Sequence, residues 1–109
     1  MNDAINRRTS NRTYPSQIKE ILINEKPFIL NNISGEGIGI LVEDKFHFSL
    51  GQRIRSICLE NHMDARHLPG IVNHISQNDS GIVCGIRFDF RDSTEFKYVE
   101  EIIRALAVE

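Results

Sequence analysis

The chain has 109 residues, 40% of them hydrophobic and 26% charged, with a formal net charge of −2. That length supports one domain around one modest core, and the composition excludes a disordered or low-complexity chain. A pI near 6.1 argues against a general nucleic-acid binder, whose affinity rests on phosphate neutralisation by a basic surface.

The first residues, "MNDAINRRTSNRTYPSQ", are polar and end near Pro15. They contain no apolar core of a secretory signal, and no run in the chain approaches the ~18 apolar residues of a membrane span. The expectation is a flexible basic arm over residues 1–16 on a cytoplasmic chain with no membrane insertion. Residues 17–109 form the expected folded unit. "QIKEILIN" reads as a strand from its β-branched residues and partial alternation. "EKP" is the predicted turn, and "PFILNNIS" a second strand with Pro27 tolerated at its start. "GEG" is a tight connection and "IGILVE" a third strand. "DKFHFSLGQ" is a loop leading to "RIRSICLE", where Ile54, Ser56 and Cys58 are expected on one face. "NHMDARHLPG" is a second connection, "IVNHIS" a strand, "QNDSG" a turn and "IVCGIRFDF" the sixth strand. This spacing predicts a small antiparallel barrel or sandwich.

The end of the chain changes period. Asp92 and Glu95 make a D-x-x-E capping box, and a helix over 93–107 follows. Phe96, Val99, Ile103 and Leu106 share its apolar stripe with Ile102 beside them, while Glu95, Lys97, Glu100, Glu101 and Arg104 fill the polar positions. The stripe is expected to cover an end or edge of the sheet.

Chemistry-bearing clusters are few. Cys58 and Cys84 lack a C-x-x-C partner and read as two buried free thiols of a reducing compartment, with a structural disulfide between them as the alternative. His47, His62, His67 and His74 have no metal-ligand spacing, so neither metal nor cofactor is expected. There is no G-x-S-x-G, no Gly-rich phosphate loop and no close carboxylate pair on an apolar element. The chain is not read as an enzyme.

Two polar motifs remain. Arg8 and Arg12 form R-x-x-x-R on the arm, preceded by Arg7. Asn32, Ser34 and Gly37 form N-x-S-x-x-G in "NNISGEG", with Asn32 20 residues after Arg12. In this order and at this separation the pair resembles the PilZ domain family. The likeness extends to the late "GIVCGIRFDF" followed by an amphipathic helix, and so covers nearly the whole chain. A second R-x-x-x-R, Arg87 to Arg91, reads as a coincidence at a strand end.

The resemblance implies a six-stranded antiparallel PilZ-type β-barrel with a C-terminal α-helix. It also implies binding of the bacterial second messenger cyclic di-GMP by Arg7, Arg8, Arg12, Asn32, Ser34 and Gly37. The residue types suit that ligand. Guanidinium groups make bidentate, permanently charged hydrogen bonds to phosphate, and they can also pair with or stack on guanine. Asn32 and Ser34, two apart on a strand, would face one guanine edge together. Arg7, at the position before R-x-x-x-R, leans toward a stacked pair of ligands. Asn6, Thr13 and Glu36 depart from the family pattern, and Glu36 bears on affinity because an inward carboxylate would repel an anion.

The implied function is a receptor whose arm orders over the ligand and whose new surface regulates a partner protein, as in biofilm, motility or virulence signalling. A monomer or weak dimer is expected. The alternative is a ligand-independent PilZ-like adaptor in a pilus or motility system. A third reading, a nucleic-acid-binding barrel, needs stacking aromatics on one strand face, for which Phe46, Phe48, Phe88 and Phe90 are the candidates. No nucleic-acid polymer is expected as a partner.

Overall fold

A computed structural model describes residues 12–79 and 81–107. Its strands are β1 (Glu20–Ile23), β2 (Lys26–Ile33), β3 (Gly37–Val42), β4 (Arg53–Cys58), β5 (Leu68–Asn78) and β6 (Gly81–Phe88), followed by helix α1 (Ser93–Ala107). All neighbours are antiparallel, and the sheet closes in the order β1-β2-β3-β6-β5-β4. This is the expected six-stranded barrel with a C-terminal helix.

The first hairpin turns one residue earlier than the sequence suggests. Asn24 and Glu25 both take positive φ, 49° and 71°, as a two-residue turn matched to strand twist requires. Lys26 and Pro27 are therefore already in β2, opposite Ile23 and Leu22. Asn24 suits the left-handed region because its short amide finds local partners. Its Oδ1 accepts the N–H groups of Arg55 and Ser56 at 3.1 Å each, and its own N–H donates to the Ser56 carbonyl at 2.8 Å. These bonds reinforce the β1–β4 seam, where just Leu22–Cys58 and Ile23–Ile57 pair.

Ile21, Ile23, Ile33, Ile38, Ile40, Ile54, Ile57 and Leu68 are almost wholly buried inside the barrel. The expected face of Ile54, Ser56 and Cys58 is not formed. A bulge in β4 sets Ile54 opposite Gly70 and Ile57 opposite Leu68. The extra residue reverses the alternation, so Ile54 and Ile57 point inward while Ser56 is half-buried. Strand β5 starts at Leu68, earlier than "IVNHIS", and runs on to Asn78. Both cysteines are buried and free.

Helix α1 begins at an Asp92 cap, whose Oδ1 accepts the Thr94 N–H at 2.9 Å and the Glu95 N–H at 3.2 Å. Glu95 does not close a capping box. It is 4% exposed and accepts the Arg91 backbone N–H at 2.8 Å and the Arg91 guanidinium. The buried face is thereby rotated from the predicted stripe. Val99 and Ile102 join the core, Tyr98, Ile103 and Leu106 pack partly against it, and Phe96 is left 40% exposed.

Among the described residues, no helix is long and apolar enough to cross a membrane.

Candidate ligand-binding site

The site is assembled on the outer face of β2, β3, β6 and β5. Thr13 lies within the stretch that the sequence assigns to the arm. It exchanges two backbone hydrogen bonds with Ile33, at 2.7 and 2.9 Å. This bridge sets Arg12 beside the end of β2. Arg12 Nη1 donates to Asn32 Oδ1 at 2.8 Å, which joins one residue of each sequence motif directly. The side chain of Asn32 is oriented by a bulge between Leu30 and Asn32, where β2 carries one residue more than β3.

Arg12 and Asn32 form one wall of a cavity of about 480 Å3. Its floor is backbone. Gly39 of β3 pairs with Gly85 of β6, and neither places a side chain over the sheet. A Cβ on Gly39 would lie 2.6 Å from Asn32 Nδ2, and one on Gly85 would lie 3.1 Å from His74 Cβ. The far wall comes from β5, where a second bulge between Val72 and His74 turns both Asn73 and His74 outward. Tyr14, 66% exposed, stands at the rim. The lining is rich in amide groups that both donate and accept, with one guanidinium and exposed rings available to stack.

The other predicted residues fall differently. Arg7 and Arg8 lie outside the described residues. Ser34 follows the end of β2 at Ile33, so the two-residue strand alternation with Asn32 does not apply. It is 1% exposed, its N–H donates to the Gly37 carbonyl at 2.9 Å, and its Oγ accepts the Glu36 N–H at 3.2 Å. Ser34 shapes the β2–β3 turn rather than lining the cavity. Gly37 permits close strand approach, since a Cβ there would lie 2.4 Å from the Ile86 carbonyl oxygen. It lines a smaller recess of about 50 Å3 together with Arg12, Asn73 and Arg87.

Sequence reasoning missed Tyr14, Gly39, Asn73, His74 and Gly85. The available signal was the isolated glycines within strand patterns, which mark bulges or close approaches. The four phenylalanines do not make a common stacking face. Phe48 and Phe88 are buried, Phe90 stacks on Phe88 at 5.1 Å, and Phe46 is exposed on the β3–β4 loop.

Away from the cavity, the Tyr98 hydroxyl donates to Glu60 Oε1 at 2.6 Å and holds that carboxyl below its ordinary range. Burial and the same bond push the Tyr98 phenol up. Burial raises the Cys84 thiol to about 11. Among the described residues, no group of three or more His, Cys, Asp or Glu side chains could hold a metal ion.

Solved structures identify the closed six-stranded barrel with its C-terminal helix as the fold of a PilZ domain. YcgR from Escherichia coli, in complex with c-di-GMP, matches with a TM-score of 0.72 and 20% identity, over 93% of this chain and 46% of that one. The PilZ domain of the same protein with c-di-GMP matches with a TM-score of 0.71 and 18% identity, over 93% and 92%. The Bacillus subtilis inhibitor of motility (MotI/DgrA) matches with a TM-score of 0.68 and 17% identity, over 93% and 51%. The chain therefore spans about half the length of YcgR and MotI/DgrA. A scan against protein-family models and a search of curated proteins both give no match.

Proposed function

We propose that this chain is a cyclic di-GMP receptor that acts in the bacterial cytoplasm by regulating a partner protein. The observation that carries this reading is the 2.8 Å hydrogen bond from Arg12 to Asn32 at the mouth of the glycine-floored cavity. The two residues come from motifs 20 positions apart. Both are groups that recognise phosphate and guanine, and the same fold holds c-di-GMP in YcgR. Arg7 and Arg8 supply further charge for the ligand's phosphates. Asn32 meets a guanine edge, Ser34 and Gly37 hold the turn beside it, and Arg7 favours a stacked pair of ligands.

In this mechanism the residues before Thr13 gain partners when the ligand arrives, and they close over the cavity. The ordering entropy lowers the net affinity but couples binding to a new surface for the partner. A role in motility is the first to examine, given the named function of MotI/DgrA.

The test is calorimetric titration of cyclic di-GMP into the wild-type protein, Arg8→Ala and Arg12→Ala, with GTP as control. Hydrogen exchange is followed over residues 1–16. Saturable binding lost in both variants, with new protection in the arm, is the expected result. Binding without arm protection overturns the ordering mechanism. No binding overturns the receptor.

A further inference from the structure

The second R-x-x-x-R of the chain is split by the fold. Arg91 is engaged at the start of α1. Its Nε and Nη2 donate to Glu95 Oε2 at 2.8 and 2.5 Å, and Nη2 also donates to the His67 carbonyl at 2.9 Å. Arg87 is exposed near the end of β6 and has no hydrogen-bond or ion-pair partner among the described residues. It pairs with Gly37 on one side and Ile71 on the other. The recess it lines with Arg12 and Asn73 shares those two residues with the main cavity, so the two spaces are contiguous.

The strand pattern puts Arg87 on the face that carries the cavity. Gly85 lies two residues before it and so points the same way. The Gly39–Gly85 pair leaves bare backbone beside it. Asn73, the extra residue of the β5 bulge, stands next to Gly85, where its Oδ1 would lie 3.3 Å from an added Cβ. The floor is thus bounded on the β2 side by Arg12 and Asn32, and on the β5–β6 side by Arg87 and Asn73. Each side offers one guanidinium and one amide. Glu36 also lines this recess, so an anion there depends on close, directional guanidinium contact.

Resting on the receptor reading above, we propose that Arg87 and Asn73 form a second phosphate-binding wall. A ligand with two separated phosphates is then gripped from both sides of the Gly39–Gly85 floor, one phosphate by Arg12 and the other by Arg87. Asn73 orients the sugar–phosphate edge next to it.

The test titrates cyclic di-GMP into wild type, Arg87→Ala, Arg87→Gln and Arg104→Ala at low and near-physiological salt, with thermal melts of each. Arg104 is an exposed arginine of α1, and its loss changes the net charge equally without touching the cavity. The expected result is affinity about tenfold or more weaker for both Arg87 variants, with a flatter salt dependence. Arg104→Ala and the melts stay at wild-type values. Arg87→Gln keeps most of the aliphatic stem, so it carries the test if alanine disturbs the strand. Wild-type affinity in Arg87→Gln overturns the second wall while leaving the receptor intact. Absence of binding by the wild type overturns the receptor and the second wall with it.

Discussion

Gly39→Ala separates the role of the cavity floor from that of the fold. The new Cβ would lie 2.6 Å from Asn32 Nδ2, 3.2 Å from Asn32 Cγ and 3.1 Å from Val83 Cγ1, where ordinary contact begins at 3.4 Å. Asn32 must retreat by roughly 1 Å to reach normal van der Waals separation. That shift breaks the 2.8 Å bond from Arg12. A hydrogen bond to a charged group is worth about 1.5–3 kcal/mol, with the lower end fitting the exposed Arg12. The same arginine then meets the ligand without its preorganising partner, so affinity falls by about tenfold or more. The fold loses that bond as well. Overpacking adds about 1–3 kcal/mol, and replacing a strand glycine returns about 0.5–1 kcal/mol. Net destabilisation is about 2–3 kcal/mol, a fall in Tm of roughly 10 °C or more for a domain of this size. Calorimetric titration with cyclic di-GMP and a thermal melt measure both quantities. Adding Asn32→Ala should recover the part of the melting temperature lost to the clash with the amide, but not the affinity. Wild-type affinity in folded Gly39→Ala would refute the reasoning, because the floor would then tolerate a side chain.

Three further outcomes follow from the same structure. Asn24→Ala loses two accepted hydrogen bonds and puts alanine at positive φ, so urea unfolding should show a loss of about 1–3 kcal/mol. The lowered Glu60 carboxyl contributes stability that is present above its unfolded value near 4.5 and lost as pH falls through the lower folded value. Tyr98→Phe removes the main cause, so its urea midpoint should fall less steeply on acidification below pH 4.5 than that of the wild type. Cys84, buried with its thiol at about 11, should react slowly with a disulfide reagent near neutral pH in the folded protein and rapidly in denaturant.

The barrel was legible because its strands alternate or run apolar between turn residues, and the helix because Asp92 caps a 3.6-residue period. What period alone could not reveal was where the alternation breaks. One extra residue in β4 moved Ser56 off the face assigned to it, and another in β2 separated Asn32 from the simple two-residue pattern. Such insertions leave no local mark in composition. The turn at Asn24-Glu25 was misplaced for a related reason, since glutamate at positive φ is an uncommon choice that Pro27 outshone. In the site, the paired motifs singled out Arg12 and Asn32 as partners of one ligand, but not the direct hydrogen bond between them. Asn73, His74 and Arg87 were not singled out for it, because they reach the cavity through the pairing of β6 with β3, which carries β6 and its partner β5 to residues such as Gly39 from more than 30 positions away.

The irregularities that obscured the reading are also what build the cavity. β3 and β6 pair without a break from Gly37–Arg87 to Val42–Ile82, giving a straight floor with two glycines at its centre. The strands flanking that pair, β2 and β5, each carry a bulge at the same level, opposite Gly39 and Gly85. A bulge bends its strand and raises local twist, which helps six strands close into a narrow barrel. It also releases a residue from the ladder and turns a polar side chain out of the sheet. Closure and wall-building are therefore one structural event on each side of the floor. Deleting Asn31 or Asn73 to regularise the sheet would shift every following side chain of its strand to the opposite face. Core isoleucines would then turn to water, which is why this barrel cannot lose its binding face without losing its interior.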